Sequence, residues 1–447
     1  MEDFVFHRNW KKQFPSIERG EGVYLYDRSG KRYIDAAGGV LVVSIGHGVP
    51  EIGEAVARAM TRCAFPYNAT FASDAETQLA EKVIRLAPEG MKKVYFTCGG
   101  SEANEAALKF SRQYHLLRGK PEKWKFIGRW YSYHGATVGT LSMTGQVSNR
   151  KDYLPYLLPF PHIAPCYCFR CPFGKQHPGC GLECARDLER VIRNEGPQTV
   201  AAFIAEPILG SHLAAATPPP GYFDIIREVC NRYDVLFIMD EVITGFGRTG
   251  KKFACEHWNV TPDMIILGKG ISSGYTPLGG IVLHGKIVEA FVQSPRSTFF
   301  LGYTFSGHPA SCAGGLAVQE YVERNQLIPR AERMGAYLHR KAAALKEIAF
   351  VGDVRGKGML LGIELVGPKG APLSKKIRAA ERVAARIFSK GATVVASSPE
   401  PENVLSDYLQ LGPPFVIRES EIDEVMDIFR DSISEVFGEI QKEGLWG

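Results

Sequence analysis

The chain has 447 residues, enough for two or three domains and a large core. Hydrophobic residues make up 45% and charged residues 23%, the balance of a soluble globular enzyme rather than of a disordered or fibrous chain. A net charge of +5 with no Lys/Arg block argues against a nucleic-acid partner, and the longest weakly polar stretch, Ala36 to Gly46, is too short to cross a bilayer.

The N-terminus, MEDFVFHRNWKKQFPSIERG, lacks the apolar core of a signal peptide. Ten cysteines without an export signal read as thiols rather than as a disulfide framework, so a cytoplasmic address is expected. Residues 22–48 have a glycine-punctuated, alternating character. Asp27–Arg28–Ser29–Gly30 predicts a hairpin turn between two short strands. Ile52, Val56, Ala59 and Cys63 then recur at helical spacing. So do Leu79, Val83 and Leu86, after a capping Ser73 or Asp74.

From about Met91 the pattern becomes strand, polar loop, helix, repeated. Val94–Tyr95–Phe96 leads into CGGSEANEAALK, and Phe126–Ile127 into YHGAT. Val200 to Ala205 leads into EPILG. Val235 to Met239 ends on Asp240, and Met264 to Leu267 is followed by Lys269. Gly280 to Leu283 completes the series. Strands alternating with helices predict an α/β layer with a mostly parallel sheet. Ligands of such sheets bind beyond the carboxyl ends of the strands, where all these polar groups fall.

The last third differs. Met334, Leu338, Ala342 and Leu345 predict a long helix, and Val354 to Val366 a turn and strand. Ser374 to Lys390 predicts a capped helix ended by Gly391. Ile422, Val425, Met426, Phe429 and Ile433 predict a final amphipathic helix. We expect a small α+β domain built from both termini: residues 1–58 and 326–447 around a large domain of residues 59–325.

Two residues carry the strongest chemistry. Lys269 ends a buried strand, where a charged amine is costly unless paired or neutral. A desolvated amine is what carbonyl condensation needs. Asp240 ends a neighbouring strand. An acid and an amine so placed suit a pyridine cofactor, one protonating the ring and the other holding its aldehyde. For either residue alone, a structural role is the bland reading: Asp240 paired with Arg248, and Lys269 in an ion pair.

Gly99, Gly100 and Ser101 open a helix, where backbone N–H groups and a hydroxyl suit a phosphate; an ordinary capped turn is the alternative. Tyr133, beside His134, offers a ring to stack on a flat ligand, although plain packing is commoner for a tyrosine. Gly245 to Gly250 spells G-x-G-x-x-G. Five residues separate it from the strand, no amphipathic helix follows, and the next strand ends on Lys269 rather than an acid, so a dinucleotide oxidoreductase is disfavoured. Cys166, Cys168, Cys171, Cys180 and Cys184 cluster with His177. Reduced thiols pinning a loop are the preferred reading; a structural zinc on Cys168, Cys171, Cys180 and Cys184 is the alternative.

Taken together, GHG at Gly46–Gly48, CGGSEANEAALK, YHGAT, AEP at Ala205–Pro207, DEVITGFGRTG, the Lys269 block and YTFSGHP at Tyr303–Pro309 resemble the class III pyridoxal-phosphate-dependent aminotransferases of fold type I. The resemblance implies pyridoxal 5'-phosphate as cofactor, with Lys269 bonded to its aldehyde and Asp240 on the pyridine nitrogen. It places Val242 and Tyr133 on the two ring faces, with His134 and Glu206 beside the cofactor. Gly99, Gly100 and Ser101 hold the phosphate, and Thr304 reaches it from a neighbouring subunit, so a homodimer is implied. The activity implied is transfer of an amino group from an ω-amino acid or primary amine to a 2-oxo acid, pyruvate or 2-oxoglutarate. An aminomutase, racemase or decarboxylase of the same fold is the alternative. The chain departs from the pattern where Gly99 stands for a common serine and Ile243 for a common glutamine. No arginine lies between Pro401 and Phe415, where many relatives carry a mobile one. Leu41, Val42 and Val43 are expected to form an apolar pocket wall.

Overall fold

The computed structural model describes residues 4–295, 298–299, 302–400, 405 and 407–446. Three sheets organise them. Near the N-terminus, β1 (Ile17–Glu21), β2 (Tyr24–Asp27) and β3 (Arg32–Ile34) form an antiparallel sheet. The expected turn is held by Asp27, whose carboxylate accepts from the N–H groups of Ser29 and Lys31.

The central sheet has seven strands: β4 (Met91–Thr97), β5 (Lys125–Arg129), β6 (His162–Ile163), β7 (Val200–Ala205), β8 (Leu236–Asp240), β9 (Met264–Leu267) and β10 (Gly279–His284). Their order is β4-β10-β9-β8-β7-β5-β6. β6, β5, β7, β8 and β9 run parallel, and β10 is antiparallel to both its neighbours. Each inner strand buries both faces. Phe203, Phe237, Ile265 and Val282 belong to one apolar core, and Ala202, Leu236, Ile266 and Ile281 to the other. Continuous apolar runs are what such doubly covered strands require.

A third sheet, order β11-β12-β14-β13, is antiparallel: β11 (Val351–Lys357), β12 (Leu360–Leu365), β13 (Val395–Ser397) and β14 (Asp407–Leu411). Its core draws on both termini. Val23, Ile34, Ile45 and Ile52 pack with Leu361, Ile387, Leu409 and Phe429. Asp35 accepts from Thr393 Oγ1 at 2.9 Å, and Ile34 pairs with Ala392.

One expectation in this region needs extension and one correction. The turn and strand expected over Val354 to Val366 are present, at Gly358 with φ +55° and in β12, but Val354 to Lys357 is itself the end of β11, so the stretch is a hairpin. Ser374 to Lys390 is not one helix. A single 3-10 turn, Lys375–Ile377, is broken at Arg378 with φ +51° before the helix Ala379–Ser389. Part of the stretch between Pro401 and Phe415 lies outside the described residues. Among the described residues, no helix is long and apolar enough to cross a membrane.

Candidate active site

The carboxyl ends of β4, β5, β7, β8 and β9 share one edge of the sheet. Beyond that edge lies a cavity of about 460 Å³, within the roughly 300–1,000 Å³ usual for small-molecule sites. Gly99, Gly100, Ser101, Tyr133, His134, Glu206, Asp240, Val242 and Lys269 all line it. Five strand ends thus converge residues scattered over 171 positions (269 − 99 + 1) of sequence. Thr304 does not line the cavity and is exposed on this chain.

Asp240 is the last residue of β8 and only 4% exposed. Its Oδ2 accepts from Asn104 Nδ2 at 2.9 Å and lies 2.8 Å from His134 Nδ1; its Oδ1 accepts from the Val242 N–H at 3.1 Å. A carboxylate held by three donors is fixed in direction. The contact sets the His134 tautomer, because Nδ1 must carry the hydrogen it shares with the acid. Arg248 does not pair with Asp240; its guanidinium bonds backbone carbonyls elsewhere.

Lys269 sits two residues beyond β9 with φ +43°, a left-handed conformation that costs a lysine about 1–3 kcal/mol. Its amine forms no hydrogen bond or ion pair with the described residues, so the ion-pair reading is not met. Burial pulls its pKa down to about 8, against the opposing charges of Asp240 and Glu206. The result is an amine still mostly protonated at pH 7 but with a far larger neutral fraction than an ordinary lysine.

Glu206 follows β7 directly and is 4% exposed. Burial pushes its pKa up to about 7; nearby His134 opposes this and Asp240 adds to it. Its carboxyl receives only long donors, the Tyr133 N–H at 3.4 Å and the Gly210 N–H at 3.3 Å.

The helix Gly100–Leu117 points its N-terminus into the cavity. The N–H groups of Gly100 and Ser101 have no intrahelical acceptor by position. Glycine is needed for close approach here. A Cβ at Gly100 would sit 3.0 Å from Val242 Cγ2, and one at Gly268 3.0 Å from Val242 Cγ1. Val242 is thus wedged between two bare backbones. Gly135, at φ +136°, brings the loop after Tyr133 against Ser101, whose Oγ accepts from the Ala136 N–H at 3.2 Å.

Asn104 escaped the sequence reading. It bonds both Asp240 and, at 2.8 Å, the His134 carbonyl, tying helix, strand and loop together. The available signal was its place one helical turn after Gly100, on the same face. Of the expected wall, Val42 lines the cavity; Leu41 and Val43 do not, although Leu41 packs with Ile208 and Ile243, which with Leu278 supply further apolar wall. All ten cysteines are free thiols. Among the described residues, no group of three or more His, Cys, Asp or Glu is placed to hold a metal ion, so the cysteine loop offers no converged zinc ligand set. The G-x-G-x-x-G run is an irregular turn with Phe246 at φ +56° and no α-helix directly after it, which is not a dinucleotide loop.

An amine, an anchored acid and a helix N-terminus around one cavity of a mostly parallel sheet suit a pyridoxal-phosphate-dependent enzyme of fold type I. The model of the aminotransferase class-III family matches residues 5–433, and the chain belongs to that family. It is 36% identical to a putrescine–pyruvate aminotransferase of Pseudomonas aeruginosa, over 94% of this chain and 90% of that protein. It is 35% identical to a diaminobutyrate–2-oxoglutarate transaminase of Halomonas elongata, over 96% and 92%. Among solved structures it is similar to an (S)-enantioselective omega-transaminase from Thermomicrobium roseum, with TM-score 0.89 and 35% identity, covering 95% of this chain and 93% of that one.

Proposed function

We propose that this aminotransferase moves the amino group of an ω-amino acid or primary amine to pyruvate or 2-oxoglutarate, using Lys269 and Asp240 as its catalytic pair. The observation that carries this reading is the unpartnered Lys269 amine sharing a cavity with an Asp240 carboxylate fixed by three donors. The residues fit pyridoxal phosphate. A free amine suits its aldehyde, a buried acid its ring nitrogen, and a helix start cleared of side chains at Gly100 its phosphate.

When bound, the cofactor supplies an aldehyde for amine exchange and a ring that accepts the electrons left when the donor loses its proton. Asp240 would hold a proton at the ring nitrogen, and His134 and Asn104 keep the carboxylate aimed. Lys269 Nζ, once free, would take the proton from the donor carbon and return it to the carbon on the far side of the amino nitrogen. Gly99, Gly100 and Ser101 anchor the phosphate; Tyr133 and Val242 hold the ring from its faces. Thr304 would complete the phosphate site of a second copy in a homodimer. Glu206 and His134 line the same site. The apolar walls at Val42, Ile208 and Ile243 exclude water and suit an uncharged donor chain. Relatives named for putrescine with pyruvate, and for diaminobutyrate with 2-oxoglutarate, support the donor and acceptor classes. The free thiols support a cytoplasmic setting, and the shared core of both termini supports a small domain built from the two ends of the chain.

The test is a half-reaction screen. Holoenzyme is mixed with single amines and ω-amino acids, the cofactor spectrum is followed, and pyruvate or 2-oxoglutarate is then added. Loss of the visible band with release of a carbonyl product, and its return with the 2-oxo acid, is the expected result. Product formed without any need for a 2-oxo acid would instead indicate a mutase, racemase or decarboxylase.

A further inference from the structure

The turn Gly245–Gly250 takes no part in the chemistry above, yet it carries a buried cation. Arg248 is 2% exposed, and no carboxylate lies within ion-pair distance among the described residues. It donates to backbone carbonyls instead: Nη2 to Val43 at 2.9 Å, and Nη1 to Pro413 at 2.6 Å and to Met359 at 3.4 Å. The Phe415 ring centroid lies 4.8 Å away, and the Arg248 carbonyl accepts from the Met359 N–H at 2.9 Å. Burying a guanidinium without an acid is costly, so its bonds need a purpose.

The Val43 carbonyl belongs to the segment whose Val42 side chain lines the cavity. The next two N–H groups, of Ser44 and Ile45, donate to Ser273 Oγ at 2.8 and 3.1 Å. The Ser273 N–H donates in turn to the Lys269 carbonyl at 2.9 Å. The Val43–Ser44 peptide is therefore held on its carbonyl by Arg248 and on its N–H by the turn that bears Lys269. The chain just before it runs through Gly38, Gly39 and Leu41 at φ +58°, +66° and +63°. Those residues form one short, distorted helical turn, whose Gly38 carbonyl accepts from the Val42 and Val43 N–H groups at 2.8 and 3.0 Å, and the Ser44 carbonyl accepts from the Phe415 N–H at 2.7 Å.

We propose that Arg248 is a positioning residue for amino transfer, locking segment 42–45 against the Lys269 turn and so setting the wall that meets the donor. The proposal rests on the reading of this cavity as the transamination site. It assigns the glycine-rich run a purpose. Gly247, at φ +101°, and Gly250, at φ +85°, let the chain turn tightly enough to deliver Arg248 inward.

The test is steady-state kinetics of the holoenzyme with one amine donor, for Arg248→Lys, Ser273→Ala and the double variant. Each single change loosens one side of the same peptide. Each should raise the donor KM by about tenfold or more with a smaller effect on kcat, because a displaced wall costs binding before chemistry. The visible band of bound cofactor should persist. The double variant should be little worse than the worse single variant, since both act through one segment. Arg248→Met, with no charge and no donors, should raise KM beyond Arg248→Lys; if it does not fold, the lysine and Ser273 variants still decide. Additive KM effects, or a fall in kcat at unchanged KM, would overturn the proposal alone. A wild type that turns over no amine would overturn the functional reading and this proposal with it.

Discussion

At the scale of single residues, the site is built from side chains in costly states. Lys269 occupies a left-handed backbone position and presents an amine whose pKa burial has lowered to about 8. Only the neutral amine attacks an aldehyde. The rate at which cofactor-free enzyme captures pyridoxal phosphate should therefore rise with pH through a midpoint near 8 and then level off. Stopped-flow absorbance across pH 6 to 11 measures this; a midpoint near the ordinary lysine value would contradict it. Glu206 gives a second test. Its folded pKa of about 7 exceeds the usual carboxylate value, so the folded state holds a proton that the unfolded chain has already released. Its burial thus costs most above pH 7, and the cost fades as pH falls toward 4.5. Glu206→Gln should raise the melting temperature of the cofactor-free protein at pH 8 and leave it nearly unchanged at pH 5. The upper bound is about 3 kcal/mol, at 1.36 kcal/mol per pKa unit. A stabilisation equal at both pH values would sink this account of Glu206.

At the scale of elements, close backbone approaches matter as much as apolar periodicity. Gly335 lies within the helix Leu327–Ala343, where alanine ordinarily adds up to about 1 kcal/mol. Here a Cβ would fall 2.4 Å from the backbone of Gly358 at the β11–β12 turn. Gly335→Ala should reverse the usual sign and cost about 1–3 kcal/mol, read as a lower denaturation midpoint in urea. An unchanged or higher midpoint would show that helix and hairpin can separate freely. The same contrast explains what the sequence revealed. β7 and β9 have the bounds of their apolar runs, because strands buried on both faces are apolar throughout. β14 is equally buried but carries Asp407 and Gln410, polar residues that interrupt the apolar run, and it went unread. The break at Arg378 has no glycine or proline to announce it. Asn104 was hidden because its partners, Asp240 and the His134 carbonyl, come from two other parts of the chain.

At the scale of the whole molecule, the residues named from motifs meet in one cavity because each stands at a strand end on the same sheet edge. Thr304 is the exception: it is exposed here and needs a second copy to serve a site. Light scattering should give twice the chain mass, and dilution that yields monomers should release cofactor in step. Cofactor retained fully by monomers would remove Thr304 from the site. The central claim is that Lys269 carries the cofactor, and trapping tests it most directly. Holoenzyme reduced with borohydride, digested and analysed by mass spectrometry should bear the pyridoxyl phosphate adduct on the peptide containing Lys269. An adduct on any other lysine, with Lys269 unmodified, would contradict the account.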